Sequence, residues 1–160
     1  MTLNFRPALA SDIAECIQLR GLTRENAVSA ERLAELGVTQ ASWAAQVSDG
    51  SLPGWIAEQG QILGYCFADV QSGEIVVLAL LPQAEGKGIG QQLIQRAMHA
   101  LRQHGHQRLF LACSRNPAVR SYGFYRHLGW RSTGQLSGQY DEVLEYLFSD
   151  EAGTSQVPAN

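Results

Sequence analysis

Three observations predict a mixed α/β domain. Short apolar runs bounded by turn residues, such as EIVVLALL (74–81) and RLFLACS (108–114), read as strands. Longer segments place apolar residues at helical spacing, most clearly from Ile89 to Leu101. Strand-like segments joined by tight turns come before these strand–helix units, which gives hairpins in front and crossovers behind.

LNFRPA reads as a short first strand stopped by Pro7. Ser11 is a suitable N-cap for the helix that follows, with Asp12 and Glu15 at its positive end and Ile13, Cys16 and Ile17 along one stripe. A second helical region covers about 29–47 and breaks at LGVT, where Gly37 ends one helix and Thr39 caps the next. WIAE and ILGYCFADV are strands around the QGQ turn, and QSG makes the next turn. EIVVLALL, apolar at alternate and intervening positions alike, is expected to be buried on both faces in the middle of a sheet. In the helix from Ile89, Leu93, Ala97 and Leu101 share a face with Ile94 and Met98 beside them, and Gly105 ends it. RLFLACS is a second buried strand, and AVRSYGFYRHL a helix that Gly123 weakens and Gly129 terminates. WRSTGQL and EVLEYLF close the chain as strands, the latter with Leu144, Tyr146 and Phe148 on one face. A single domain over 1–148 and a loose polar tail over 149–160 are expected.

The 160 residues suit one core, and 45% hydrophobic content favours a packed globule. A net charge of −3 without a basic cluster gives no sign of a nucleic-acid partner. No leader and no apolar run of about 20 residues is seen, so a cytoplasmic protein without a membrane segment is expected. Cys16, Cys66 and Cys113 are far apart and sit in apolar segments, which fits buried free thiols in a reducing compartment. His104 and His106 flank Gly105 like a metal pair, but no third ligand accompanies them. With His99 and His127 they read as surface residues, and no metal is expected.

Chemistry concentrates in EGKGIG, Glu85 to Gly90. It lies between a strand and a helix N-terminus, where free N–H groups and the helix dipole favour an anion and glycines let a phosphate come close. A glycine-rich turn without a ligand is the alternative. A P-loop is excluded because Gly86-Lys87 is followed by Gly88, and Leu81 stands where the first glycine belongs. A dinucleotide fold is excluded because the spacing is G-x-G-x-G and RLFLACS carries no acid.

EIVVLALLPQAEGKGIGQQLIQRA resembles the acetyl-CoA-binding motif of the GNAT superfamily of N-acetyltransferases: a central strand, then Q/R-x-x-G-x-G/A, then a helix. NPAVRSYGFYRHLGW resembles the next motif of that family, and the element order is similar over 3–148. The resemblance implies a mixed, mostly antiparallel sheet with splayed central strands and about four flanking helices. It implies acetyl-CoA as cosubstrate. Leu78, Ala79 and Leu80 would pair with the pantetheine arm, and the backbone of Gly86, Lys87, Gly88, Ile89 and Gly90, with Gln91, would hold the pyrophosphate. Lys87 would add charge to the phosphates or else be a solvated loop lysine. Asn116 would contact the cofactor arm or else form the turn before Pro117, and Arg120 is a weaker phosphate candidate. The chain departs from the pattern at the Q/R position, which is Glu85. Its side chain is expected to face away from the phosphates.

In the chemistry the family implies, an amine attacks a thioester. A base must take the amine's proton, a donor near Leu80 must meet the oxyanion, and an acid must protonate the departing thiolate. Tyr125, in FYRHLGW, occupies the place of the family's catalytic tyrosine, with a core aromatic as the alternative and Tyr122 as the second candidate. Glu74 is the candidate base, Asp69 its rival, and a water chain the third possibility. Acceptor recognition would fall to RGLTRENAVSA, with Arg24, Glu25 and Asn26, and to STGQLSGQYDE. Trp43 and Trp55 would be pocket walls or core. A small amine is the first acceptor expected; a protein lysine or N-terminus, or a CoA-binding module without catalysis, are the others. The chain is expected to act as a monomer or homodimer.

Overall fold

The computed structural model describes residues 2–149. Of the tail expected at 149–160, only Ser149 falls in that range. Among the described residues the elements are β1 Asn4–Pro7, α1 Ile13–Arg20, α2 Ala30–Glu35, α3 Gln40–Ser48, β2 Gly54–Glu58, β3 Ile62–Asp69, β4 Glu74–Leu80, α4 Ile89–Gln103, β5 Arg108–Ser114, α5 Arg120–His127, β6 Arg131–Ser137 and β7 Asp141–Leu147. The order is the one predicted. There are five helices against the about four that the family resemblance implied, and 29–47 splits into two where the sequence placed the break. Ser29 caps α2 through Arg32 N–H, Gly37 takes φ 86°, and Thr39 caps α3 through Ser42 N–H. The chain divides into two compact units, Met1–His104 and Gly105–Asn160.

In the first unit four antiparallel strands lie in the order β1-β2-β3-β4. β3 is buried from Ile62 to Ala68, so both its faces are covered. On one face Tyr65 and Phe67 meet Trp43 of α3 edge-on, at centroid distances of 5.8 and 5.0 Å. The Tyr65 hydroxyl donates to the Cys16 carbonyl of α1 at 3.0 Å, which satisfies a buried polar group. Trp43 is therefore core rather than a pocket wall. The other face receives α4, whose Ile89, Leu93, Ile94, Ala97, Met98 and Leu101 are buried as their spacing predicts. A Cβ on Gly64 would lie 2.3 Å from Leu80 Cδ2 and 2.9 Å from the Ala79 carbonyl oxygen, so glycine is what lets β4 close on β3.

Two expectations are corrected in this unit. Ser11 does not cap α1; a 3-10 turn over Ala10–Asp12 precedes it. Asp12 instead accepts the Leu9 N–H at 2.7 Å and takes both terminal nitrogens of Arg6 at 2.9 Å, a charge-assisted fork that a hydroxyl cannot match. β4 is not buried on both faces. Ile75 and Ala79 are buried, but Val76 is 44% exposed. The register passes from Phe67↔Val77 to Ala68↔Ile75, so Val76 sits in a β-bulge that turns it outward.

In the second unit the strand order is β5-β7-β6, all antiparallel. β5 buries one face only, with Leu109, Leu111 and Cys113 inside and Arg108 and Ala112 outside. Phe124, Tyr125, Trp130, Tyr146 and Phe148 form a chain of ring contacts with centroids 5.0–6.1 Å apart. Gly129, with φ 102°, lets the chain turn there, and a Cβ would sit 3.2 Å from the Tyr146 ring.

Gly64→Ala and Gly123→Ala should move stability in opposite directions. The first overpacks β3 against β4 and should cost about 2 kcal/mol. The second adds a Cβ that meets nothing within 4 Å on α5 and should gain about 0.5–1 kcal/mol. Urea midpoints of the two variants against wild type check both.

Candidate active site

β4 ends at Leu80, the Leu81 N–H donates to the Leu63 carbonyl at 2.8 Å, and a 3-10 turn over Pro82–Ala84 leads to the glycines. Gly86 and Gly88 take φ 77° and 81°, the left-handed region that glycine enters without penalty. A Cβ built on either meets nothing within 4 Å, so the space above both is open. Gly88 is the N-cap of α4 and supplies no side chain to the helix end. The first intrahelical bond runs from Gln92 N–H to Gly88 C=O at 3.2 Å, which leaves the N–H groups of Ile89, Gly90 and Gln91 without an acceptor inside the helix. Ile89 and Gly90 are buried, while Lys87 and Gln91 are exposed. A backbone cradle for an anion results, at the positive end of a fifteen-residue helix.

The carboxylate of Glu85 turns to Arg24, whose Nε donates to Oε1 at 3.0 Å. Arg24 comes from the loop between α1 and α2 and also lies 3.6 Å from Glu25. The sequence placed Arg24 on the acceptor side and left Glu85 without a partner; a pair separated by 61 positions carries no local signal.

Leu78, Ala79 and Leu80 pair in register with Cys66, Tyr65 and Gly64 of β3. Ala79 is buried, and Leu78 and Leu80 are half-buried. At the far end of the same ladder Asp69 stands opposite Glu74. Asp69 Oδ1 accepts the Gln71 N–H at 2.9 Å and so is engaged in the QSG turn. The Glu74 carboxylate has no hydrogen-bond partner among the described residues. Burial, and then the neighbouring Asp69 charge, push its pKa up.

In the second unit Tyr125 is buried on α5, its ring edge-on to Phe124 and Trp130. Its carbonyl accepts the Leu128 and Trp130 N–H groups, which folds the FYRHLGW turn back on the helix end. The Asn116 side-chain oxygen accepts the Ala118 N–H at 3.0 Å, so this asparagine forms the turn before α5. Arg120 is exposed. Among the described residues no cluster of three His, Cys, Asp or Glu could hold a metal; His99, His104 and His127 are exposed and His106 is half-buried. No helix of the described residues is long and apolar enough to cross a membrane.

A model of the acetyltransferase (GNAT) family matches residues 15–130, a span that takes in the cradle, both acids and FYRHLGW. The chain belongs to the GNAT acetyltransferase family. No curated protein matches the sequence. Solved structures share the GNAT fold at low identity. The PaiA N-acetyltransferase from Thermoplasma acidophilum, in complex with coenzyme A, is 17% identical with a TM-score of 0.76, covering 92% of this chain and 100% of that one. YncA from Salmonella typhimurium, with its cofactor acetyl-CoA, is 16% identical with a TM-score of 0.70, covering 93% and 95%. The ribosomal-protein-alanine N-acetyltransferase from Brucella melitensis is 17% identical with a TM-score of 0.67, covering 91% and 99%.

One GNAT-helix network escaped the sequence reading. Arg126 lies 3.6 Å over the Tyr122 ring and donates to Glu142 at 2.7 Å, while the Ser132 hydroxyl donates to the other Glu142 oxygen at 2.8 Å. Burial alone would push Glu142 up; these two hydrogen bonds and the Arg126 charge outweigh it and hold the carboxyl low. Tyr122 is thus occupied as the cation's stacking surface. An alternating pattern in EVLEYLF marks Glu142 as inward, but only the folded chain supplies its arginine.

A raised folded-state pKa means that ionised Glu74 costs stability, so the folded state is favoured below the ordinary value and loses that advantage as pH rises. Glu74→Gln should therefore have a higher urea midpoint than wild type at neutral pH. The difference should vanish below pH 4.5, the ordinary glutamate value.

Proposed function

We propose that this GNAT chain is an acetyl-CoA-dependent N-acetyltransferase that acetylates a primary amine of a small molecule by direct attack. The observation that carries the cofactor reading is the open glycine cradle at the N-terminus of α4, in a chain whose family uses acetyl-CoA. The residues present fit the group. Gly86, Lys87, Gly88, Ile89, Gly90 and Gln91 would hold the pyrophosphate through backbone N–H groups, and Leu78, Ala79 and Leu80 would flank the pantetheine arm. Asn116 is retained in the arm-contact role only through its free amide nitrogen. Acetyl-CoA supplies the activated acetyl group when bound. Residues 1–148 are read as one catalytic domain because the family match runs through both compact units.

Glu74 is assigned as base. Its carboxylate is not engaged in a turn, and its upward shift brings its basicity closer to that of the amine it must deprotonate. Tyr125 is assigned as acid, giving its phenolic proton to the thiolate as the carbon–sulfur bond breaks; thiolate (thiol pKa near 8.5) is a weaker base than phenolate (near 10), so the phenolate readily takes a proton back from solvent, into which Glu74 releases the proton it took from the amine. The backbone N–H near Leu80 is the assigned oxyanion donor. The free thiols Cys16, Cys66 and Cys113 are buried, which suits the cytoplasm.

A protein or peptide amine is the second reading. The Gly138–Tyr140 connection between β6 and β7 is short and tied down by Arg115, whose backbone N–H donates to the Tyr140 carbonyl and whose guanidinium donates to the Gln139 carbonyl, both at 3.1 Å. Tyr140 in it and Leu136 just before it are exposed, apolar side chains of the kind a peptide can pack on.

Thiol release from acetyl-CoA against parallel panels of small amines and peptides separates the two readings. Acetyl-CoA should raise the melting temperature, and a flat response at millimolar concentration would end the cofactor reading. Tyr125→Phe should lower kcat by about 10²-fold or more while keeping that thermal shift; unchanged turnover with chemistry rate-limiting removes Tyr125 as the acid.

A further inference from the structure

The cradle has an unusual charge at its entrance. Glu85 directly precedes Gly86, and a lone carboxylate there would oppose a diphosphate held by the next six residues. Its side chain is only 20% exposed, so solvent does not screen it fully. The positive side chain that meets it is Arg24, 3.0 Å away, on the loop between α1 and α2. That loop is closed on itself at its base: Val28 N–H donates to the Arg20 carbonyl at 2.9 Å, Leu22 N–H to the Leu19 carbonyl at 2.8 Å, and the Arg20 guanidinium to the Asn26 carbonyl. Its tip is not self-contained. Arg24 reaches out to Glu85, and the Thr23 hydroxyl beside it is buried with no hydrogen-bond partner.

We infer that Arg24 is a positioning residue for the cofactor: its Nε holds the Glu85 carboxylate at 3.0 Å, while Nη1 lies 3.6 Å from Glu25, and the pairing weakens the repulsion that Glu85 would exert on the diphosphate. The inference rests on the acetyl-CoA reading above. It is a statement about charge rather than fold: an ion pair with Arg24 half exposed contributes little to stability, yet removing one partner leaves a carboxylate next to the anion site. The cradle's electrostatics are then set by a side chain from the 21–29 loop, so the acceptor-side loop and the cofactor site share one ion pair. Lys87 is exposed at the loop tip, and among the described residues the ion pair to Glu85 comes from Arg24.

The test is a double-mutant cycle on the full chain, with CoA affinity measured by calorimetry and S-acetylpantetheine, which lacks the diphosphate, as a parallel acetyl donor. Arg24→Gln should weaken CoA about tenfold, and Arg24→Lys should keep most of the affinity. Glu85→Gln should not weaken CoA. Adding Glu85→Gln to Arg24→Gln should restore affinity to within about twofold of wild type, since no carboxylate then needs masking. The KM for S-acetylpantetheine should stay the same in every variant. Wild-type affinity in Arg24→Gln, a double variant no better than Arg24→Gln, or a parallel loss with S-acetylpantetheine would each overturn the inference. Should Arg24→Gln fail to fold, weaker CoA binding by Glu85→Gln alone overturns it. Wild-type protein that binds no CoA fails one step earlier, at the acetyl-CoA reading, and takes this inference with it.

Discussion

Burial of β3 on both faces is the constraint on which the first unit depends. A strand covered on both sides needs apolar or self-satisfied side chains throughout, and Ile62–Ala68 provide them, with Tyr65 sending its hydroxyl to the Cys16 carbonyl. Trp43, Tyr65 and Phe67 lock α1 and α3 to one face; Leu93 and its neighbours lock α4 to the other. Gly64 sits where β4 and α4 both approach, with Leu80 and Leu93 close to its missing Cβ. The end of β4 and the start of α4 are therefore held by the same strand. The segment between them, Leu81 to Gly88, has to turn sharply, and it does so with a proline-initiated 3-10 turn and two glycines at positive φ.

That turn is also where the proposed cofactor site lies, for the same physical reason. A helix that starts with glycine rather than with a capping side chain keeps its first N–H groups available. Ser29 and Thr39 cap the starts of α2 and α3, whereas α1 and α5 begin without a side-chain cap. What distinguishes α4 is its left-handed glycine N-cap and the open space above Gly86 and Gly88.

Charges follow a comparable division. Arg6 with Asp12 and Glu58, and Arg126 with Glu142, bring opposite charges together and settle each carboxylate in its ionised form. Asp69 and Glu74 do the reverse, two acids across one ladder rung. Asp69 is drawn off by the turn it closes, and Glu74 is left half-buried and unbonded. Such an arrangement is unfavourable for folding, and it is the feature on which the proposal of Glu74 as base rests.

The sequence by itself determined the element order, the buried face of α4, the break at Gly37–Thr39, the glycine segment and the family, because these are written in local periodicity, turn residues and contiguous motifs. The tertiary structure alone decided what depends on distant partners. Arg6 chose Asp12 over Ser11 as the residue that shapes the start of α1, the pairing with β3 turned Val76 outward from a strand that reads as wholly apolar, and Glu142 acquired Arg126. Glu85 is the sharpest case. In sequence it is an acid misplaced beside a phosphate cradle; in the fold it has an arginine from 61 positions away. Hydrophobic spacing reports which way a side chain must face, but the charge that meets it is fixed only when the chain has closed on itself.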